Sequence, residues 1–329
     1  MDGFSYTINY NLYRYYHVFK HALYIITIFI LLPIPVRGQY DPSFSNYWAM
    51  EPFFNPGSVG KNSKINFVAA YALDFAGFEH NPRTMYVGAD MPVHLINDYS
   101  GVGISFMNDQ IGLFTHKKVA LQYAYKHKLF GGTISYGLQL GMLSETFDGS
   151  GLDLNEQSDP AFSTSSINGN KIDVSIGIYY LNKDWYGGLS VQHANAPLIK
   201  MGETNELQID RTYYMTCGYN IKLRNPFVTI QPSLLERTDG KAYRTDITGR
   251  LVYTNEEKVM YAGVSYSPSN SATVLIGGSF HGINLGYSYE IYTSALSIGN
   301  GSHELVLSYQ TEINLGKKGR NKHKSVRIL

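Results

Sequence analysis

The feature that most limits how this chain can fold is a period-two alternation of apolar and polar residues, sustained over segment after segment. From Thr133 to Leu143, Ile134, Tyr136, Leu138, Leu140 and Met142 share one face, and Thr133, Ser135, Gly137, Gln139 and Gly141 share the other. The same split sets Ile172, Val174, Ile176, Ile178 and Tyr180 against Asp173, Ser175 and Gly177, and Ile283, Leu285, Tyr287, Tyr289 and Ile291 against Asn284, Gly286, Ser288 and Glu290. Alternation of this kind denotes strands with two unlike faces. The segments run about 9 to 12 residues, the length of a tilted strand that crosses a hydrocarbon layer, whereas soluble strands average about five or six. No stretch after Leu32 is long and apolar enough for a transmembrane helix, and no i, i+3, i+4 pattern persists.

A strand inside a bilayer must pair every backbone N–H and C=O, and only a closed barrel does so. The expected fold is therefore all-β, an antiparallel transmembrane β-barrel of about 14 strands (range 12–14). The strands are expected near 64–75, 83–93, 99–107, 117–127, 132–145, 171–181, 184–194, 209–222, 226–235, 243–253, 257–267, 272–280, 283–291 and 302–313. Their links alternate in length, as such barrels require with short periplasmic turns and longer extracellular loops. Long links are expected at Ala76 to Pro82, Asn108 to His116, Thr146 to Asn170, Asn195 to Gln208, Glu236 to Ala242 and Tyr292 to Gly301. Tight ones fall at Leu129 to Gly131, Asn182-Lys183, Asn225 and His281-Gly282, with Pro268 to Ser271 a short exception on the outer side. The competing fold is a secreted β-sandwich or propeller with half-buried strands.

Composition narrows the function. Of 329 residues 28 are Tyr, 32 Gly and one Cys, and 27 basic residues nearly balance 26 acidic ones. One cysteine makes neither a disulfide framework nor a Cys-rich zinc site, and balanced charge leaves no footprint for nucleic acid. The tyrosines are expected largely near the two lipid interfaces, where an amphipathic ring is at home. Tyr136, close to mid-strand, does not suit such a girdle.

The ends read as separate units. Arg14, His17, Lys20 and His21 precede an apolar run from Ala22 to Leu32, closed by Pro33 and Pro35, so 1–38 is expected to be a signal peptide cleaved after Gly38. Residues 39–62, aromatic and rich in proline, are expected either to plug the barrel or to lie beneath it on the periplasmic side; 63–315 form the barrel. Residues 316–329 add Lys317, Lys318, Arg320, Lys322, Lys324 and Arg327 with no acid, a basic tail that strand parity places in the periplasm. The tail is expected either to dock onto an acidic partner or to be a solvated extension.

Three constellations invite a catalytic or metal reading: His303-Glu304, His193 to Asn195, and Glu145 with Asp148 and Asp153. None has the spacing of a metal motif such as H-E-x-x-H, and no G-x-S-x-G turn accompanies the many serines. Rim histidines paired to loops are the expected meaning. No catalytic, cofactor-binding or metal residue is assigned, no cofactor is expected, and the chain is expected not to be an enzyme. Asp159 to Phe162 belong to a surface loop that is either a binding loop or a plain connection.

Gln39-Tyr40-Asp41-Pro42-Ser43-Phe44-Ser45-Asn46-Tyr47 is followed by Asn55-Pro56-Gly57, Gly101-Val102-Gly103, Asn108 to Gly112, Tyr123-Ala124-Tyr125 and, late in the chain, His303-Glu304-Leu305 with Leu307 and Tyr309. In this order they resemble the PorP/SprF family, outer-membrane proteins of the type IX secretion and gliding-motility machinery of Bacteroidetes. Asn46 stands where the family usually has Gln, and Gly57 where Ala is usual. The resemblance implies a non-enzymatic barrel in the cell outer membrane that works in export or surface attachment of partner proteins by binding. It implies as partners the periplasmic lipoprotein and ring proteins of the machine and secreted proteins engaged through their C-terminal domain. A passive diffusion channel for small solutes is the alternative.

Overall fold

In the computed structural model, residues 40–95, 98–149, 166–202, 205–256, 258–293 and 300–312 are described. The expected signal peptide at 1–38, the basic tail at 316–329, and Asp153 with Asp159 to Phe162 lie outside them. Seventeen strands are present among the described residues: β1 Lys64–Leu73, β2 Arg83–Leu95, β3 Asp98–Ile111, β4 Phe114–Leu129, β5 Gly132–Asp148, β6 Ser166–Leu181, β7 Trp185–Gln192, β8 Leu198–Met201, β9 Asn205–Gln208, β10 Thr212–Tyr219, β11 Ile221–Lys222, β12 Val228–Thr238, β13 Tyr243–Asn255, β14 Lys258–Ser267, β15 Ser271–Phe280, β16 Ile283–Tyr292 and β17 Ser302–Glu312.

Neighbours pair antiparallel, and the sheet closes where β1 meets β17, with Lys64 opposite Glu312 and Leu73 opposite His303. β11 continues β10 after a break at Asn220, and both pair with β12. Fourteen strands thus form one closed barrel, and β8 and β9 form a separate hairpin. The outward face is apolar: Leu121 is 62% exposed, Ile172 66% and Val264 63%. The polar partners of these residues turn inward, where Gln122, Gln139, Asp173 and Ser175 are buried. A water-soluble sandwich would have the reverse arrangement, so the exterior is a lipid-facing surface.

Apart from the β8–β9 hairpin, which falls in the link expected from Asn195 to Gln208, and β6, which begins at Ser166 inside the link expected from Thr146 to Asn170, the strands begin and end close to where the alternation places them, with two further departures. The link expected from Asn108 to His116 is a two-residue turn at Gly112-Leu113, because β3 and β4 stay paired through Asp109 opposite His116 to Ile111 opposite Phe114. Polar Asn108-Asp109-Gln110 reads as loop in isolation, yet Asp109 points inward and accepts a hydrogen bond from Thr84 Oγ1 at 2.7 Å. Strands of 14 to 17 residues, as in β3 to β6, are longer than bilayer crossing demands. Their outer ends therefore project beyond the lipid and can carry polar residues while keeping the ladder. The second departure concerns the tyrosines. Tyr136, Tyr213 and Tyr243 face outward, but Tyr86, Tyr179 and Tyr214 are buried inside the barrel.

Candidate functional site

The core of this barrel is its lumen, and the segment from Tyr40 to Ser63 fills it. Proline sets the local form of that segment: Pro52 and Pro56 stand in the first turns of short 3-10 helices at Glu51–Phe53 and Pro56–Ser58, with a third at Tyr47–Ala49. Asn55 caps the last, accepting a hydrogen bond from Gly57 N at 2.8 Å. Phe44 and Met50 pack against inward Val68, Ala70 and Ala72 of β1, Tyr86 of β2 and Val306 of β17. Tyr47 and Phe54 pack against Tyr214 of β10 and Leu235 of β12 on the opposite wall. Apolar side chains on both walls bury Phe44, Tyr47, Met50 and Phe54 of the plug and leave Trp48, Ala49 and Phe53 partly covered.

The polar attachments run around the lumen. Glu304 of β17 accepts from Ser45 N (2.6 Å), Asn46 N (2.9 Å) and Asn46 Nδ2 (2.9 Å). Gln122 Nε2 of β4 donates to Pro52 O at 2.6 Å, and Ser190 Oγ and Gln192 Nε2 of β7 both donate to Phe54 O, at 2.7 and 2.8 Å. These side chains are themselves tied together: Gln122 to Gln139, Gln139 and Ser175 to Gln192. Tyr47 OH meets Ser233 Oγ at 2.8 Å, and Arg237 Nη1 donates to the carbonyls of Asp41 and Pro42 at 3.0 Å. The guanidinium of Arg250 lies 3.9 Å from the Trp48 ring centre. Where the backbones touch, the wall carries glycine. A Cβ on Gly137 would sit 2.1 Å from Gly57 N, and one on Gly177 2.2 Å from Asn55 Oδ1.

The plug enters the lumen's outer half at an ionic knot. His193, just after β7, directs Nδ1 to Asp173 Oδ1 at 2.8 Å and Nε2 to Asp41 Oδ1 at 3.0 Å. Two ring nitrogens on two carboxylates require both to carry hydrogen, so this histidine is an imidazolium. Burial opposes that charge, but Asp41 and Asp173 outweigh it and hold the His193 pKa above its ordinary value. Asp41 is likewise opposed by burial, yet His193, Lys118 and the Tyr214 hydroxyl hold its carboxyl below the usual range. Lys118 Nζ completes the knot, 2.8 Å from Asp173 Oδ2. Beside it Glu145 takes hydrogen bonds from Tyr40 OH and His116 Nδ1. The hairpin β8–β9 closes over this end, packing Ile199 and Met201 with Ile209 on Leu143, and Tyr40 lies against the same cluster.

The three sequence constellations therefore come apart. His303 and Glu304 are neighbours on a strand and face opposite ways: His303 Nδ1 meets Tyr287 OH at 2.7 Å on the outside while Glu304 grips the plug. His193 and Glu145 hold the plug's start, Asp148 is exposed at the end of β5, and Asn195 bonds to the β6 backbone. Among the described residues no three His, Cys, Asp or Glu side chains are placed to hold a metal ion. The anchors that sequence reasoning passed over are Gln122, Gln139, Gln192 and Arg237. Their signal was present as polar residues on the face of a strand opposite to lipid, but no spacing says which of them meets the plug.

A closed antiparallel barrel with an apolar exterior and a lumen packed by its own N-terminal segment is a plugged membrane β-barrel. The chain belongs to the family of type IX secretion system membrane proteins PorP/SprF, whose model matches residues 36–309. No curated protein matches it. Among solved structures it is similar to the Ralstonia pickettii toluene transporter TbuX, at 11% identity and a TM-score of 0.48, over 79% of this chain and 92% of that one. It is also similar to a Pseudomonas aeruginosa FadL homologue, at 10% identity and a TM-score of 0.45, over 83% and 94%. Likenesses this remote bear on neither substrate nor partner.

Proposed function

We propose that this protein is an outer-membrane component of type IX secretion that acts in export or cell-surface attachment of partner proteins by binding, without catalysing a reaction. The observation that carries the reading is the filled lumen. Residues 40–63 touch the wall on strands from β2 round to β17, through buried hydrogen bonds and two apolar clusters. A diffusion channel needs an unobstructed, solvated path, so the plug weighs against that alternative. In the binding reading, 1–38 are removed as a signal peptide, the machine's periplasmic lipoprotein and ring proteins meet the inner rim, and a secreted protein's C-terminal domain is held by the barrel.

Affinity purification from the native outer membrane, with identification of what accompanies the protein, tests this. Capture of type IX components and of a secreted C-terminal domain is the expected result. Purification alone, together with steady conductance of the wild-type protein in planar bilayers, would overturn it.

A further inference from the structure

On the β12 to β17 side of the barrel the packing against the plug stops short of the inner rim. Lumen-facing residues in the outer part of these strands are buried, as Ser233, Thr248, Ser265 and Ser288 are. Those nearer the inner turns, Thr229, Gln231, Val259, Ser279 and Asn284, are partly exposed and uncharged. Solvent therefore reaches the underside of the plug there, in a vestibule that opens to the periplasm. Arg250 of β13 stands at its roof. The guanidinium lies 3.9 Å from the ring centre of Trp48 on the plug and 6.0 Å from that of Tyr261 on β14, so its positive charge meets π faces. Its N–H groups have no acceptor among the described residues, and Nε is fully buried. By contrast Arg244 pairs with Asp246 and Glu290, and Arg237 donates to two plug carbonyls. Glu51, whose field reaches Arg250, is already held by Lys61 and the Tyr179 hydroxyl.

Two more donors stand idle beside it. Gln231 faces Arg250 directly across the β12–β13 ladder, and its amide has no hydrogen-bond partner among the described residues. Tyr186 of β7 lies over Gly218 of β10, where an added Cβ would collide with the ring, and so leans towards β12, whose Ser233 is opposite Gly218. The Tyr186 hydroxyl is buried without a partner and lies within electrostatic reach of Arg250. Donors inside a protein are normally satisfied, so idle ones set side by side mark a place for an acceptor from outside. The geometry points to Arg250, Gln231 and Tyr186 as a receptor for a single carboxylate that enters through the periplasmic mouth. Its two oxygens meet the in-plane N–H edge of Arg250, which stacking on Trp48 leaves free, with the Gln231 amide and the Tyr186 hydroxyl as further donors. Charge selects among oxyanions: one carboxylate cancels one guanidinium, whereas a phosphate dianion leaves a negative charge uncompensated in a partly buried site. The carboxylate belongs either to a small free acid or to a polypeptide, and the uncharged vestibule wall admits both. This ligand site adds to the partner-binding reading and does not depend on it.

The test uses the full-length protein in nanodiscs of zwitterionic lipid, with Trp185→Phe so that Trp48 is the sole tryptophan. Trp48 emission is followed during titration with sodium acetate and with N-acetyl triglycine, against acetamide and the C-terminal amide of the same peptide, at constant ionic strength in sodium chloride. The two acids are expected to give a saturating change and the two amides none. Tyr186→Phe and Gln231→Ala, which remove groups that bond to nothing in the unliganded protein, should each weaken binding about three- to tenfold, and Arg250→Lys, which keeps the charge and loses the fork, by at least about tenfold. Lys200→Gln on the outer hairpin should leave it unchanged. Retention of the gel shift between unboiled and boiled samples shows that each variant is folded, and Tyr186→Phe and Gln231→Ala remain informative if Arg250→Lys unseats the plug. No saturating change with either acid, an equal change with the amides, or unchanged affinity in both Tyr186→Phe and Gln231→Ala would each overturn the proposal, as would tighter binding of inorganic phosphate than of acetate. Either order of the two acids supports the site: a tighter peptide assigns the carboxylate to a polypeptide, and tighter acetate assigns it to a small free acid.

Discussion

Gly137→Ala probes whether the plug is truly seated. Gly137 has no unusual backbone requirement; it is glycine because Gly57 N and Pro56 C would lie 2.1 and 2.2 Å from an added Cβ. Both atoms belong to the plug backbone, so no side-chain rotation relieves the clash, and the Asn55–Ser58 turn must retreat by about 1 Å or more to restore ordinary contact. Retreat strains the bonds on the far side, where Gln122 holds Pro52 O and Ser190 and Gln192 hold Phe54 O. Two or three weakened bonds at roughly 0.5–1.5 kcal/mol each, added to an overpacking cost of about 1–3 kcal/mol, disfavour the seated plug by about 3–5 kcal/mol. That is a rise of roughly a hundredfold or more in the unseated population. Maleimide labelling of a Ser58→Cys reporter, made with Cys217→Ser so that the native thiol is silent, reads this population, because Ser58 is fully buried. Labelling should accelerate by about the same factor. Gly249→Ala, where an added Cβ meets nothing within 4 Å, is the control. If Gly137→Ala labels at the wild-type rate while keeping its heat-dependent gel shift, the close approach of plug and wall is wrong.

Other sites give further tests. Glu304→Ala removes the acceptor of three plug hydrogen bonds and leaves the part-buried Ser45 N and the buried Asn46 N without that partner, a cost of about 2–4 kcal/mol that a melting shift and faster Ser58→Cys labelling would register. His193→Ala leaves Asp41 and Asp173 sharing Lys118 in place of two cations, and should loosen the plug by about 3–5 kcal/mol in the same assay. For pH, His193 is raised above its ordinary 6.5, so its contribution is full below 6.5 and fades as pH climbs through the raised value. Asp41 is lowered from its ordinary 3.8, so its contribution is full above 3.8 and fades only in stronger acid. Ser58→Cys labelling, normalised to thiolate fraction, should therefore be slowest between these limits and rise on the alkaline side, and His193→Ala should abolish the alkaline rise. Phe130→Ser, at an inner turn where the ring is 88% exposed, should change thermal stability by no more than about 0.5 kcal/mol.

The barrel was legible because its two solvents differ so sharply. Lipid outside demands the run Tyr136, Leu138, Leu140, Met142, and a packed polar interior accepts Ser135, Gly137, Gln139 between them, so period two survives along strands such as β5. What misled was polarity beyond the bilayer: Asn108 to Gln110 lie on a strand that outruns the lipid, where water tolerates what a membrane-sized strand would not. The tyrosines divide for a related reason. A phenol ring suits the lipid boundary at Tyr243, but it also suits a lumen that offers both apolar packing and acceptors, as Tyr214 OH shows on Asp41 Oδ2 at 2.9 Å.

Sequence alone determined the strand pattern and the family, because each depends on local spacing or on residue order. It left open whether 39–62 lie within the barrel or beneath it, and only the tertiary structure decided that the described part lies within. The physical reason is that plug contacts join residues as much as 259 positions apart, as Ser45 and Glu304 are. Such pairings follow from closure of the barrel and from the volume left inside it. No window of the sequence contains either quantity.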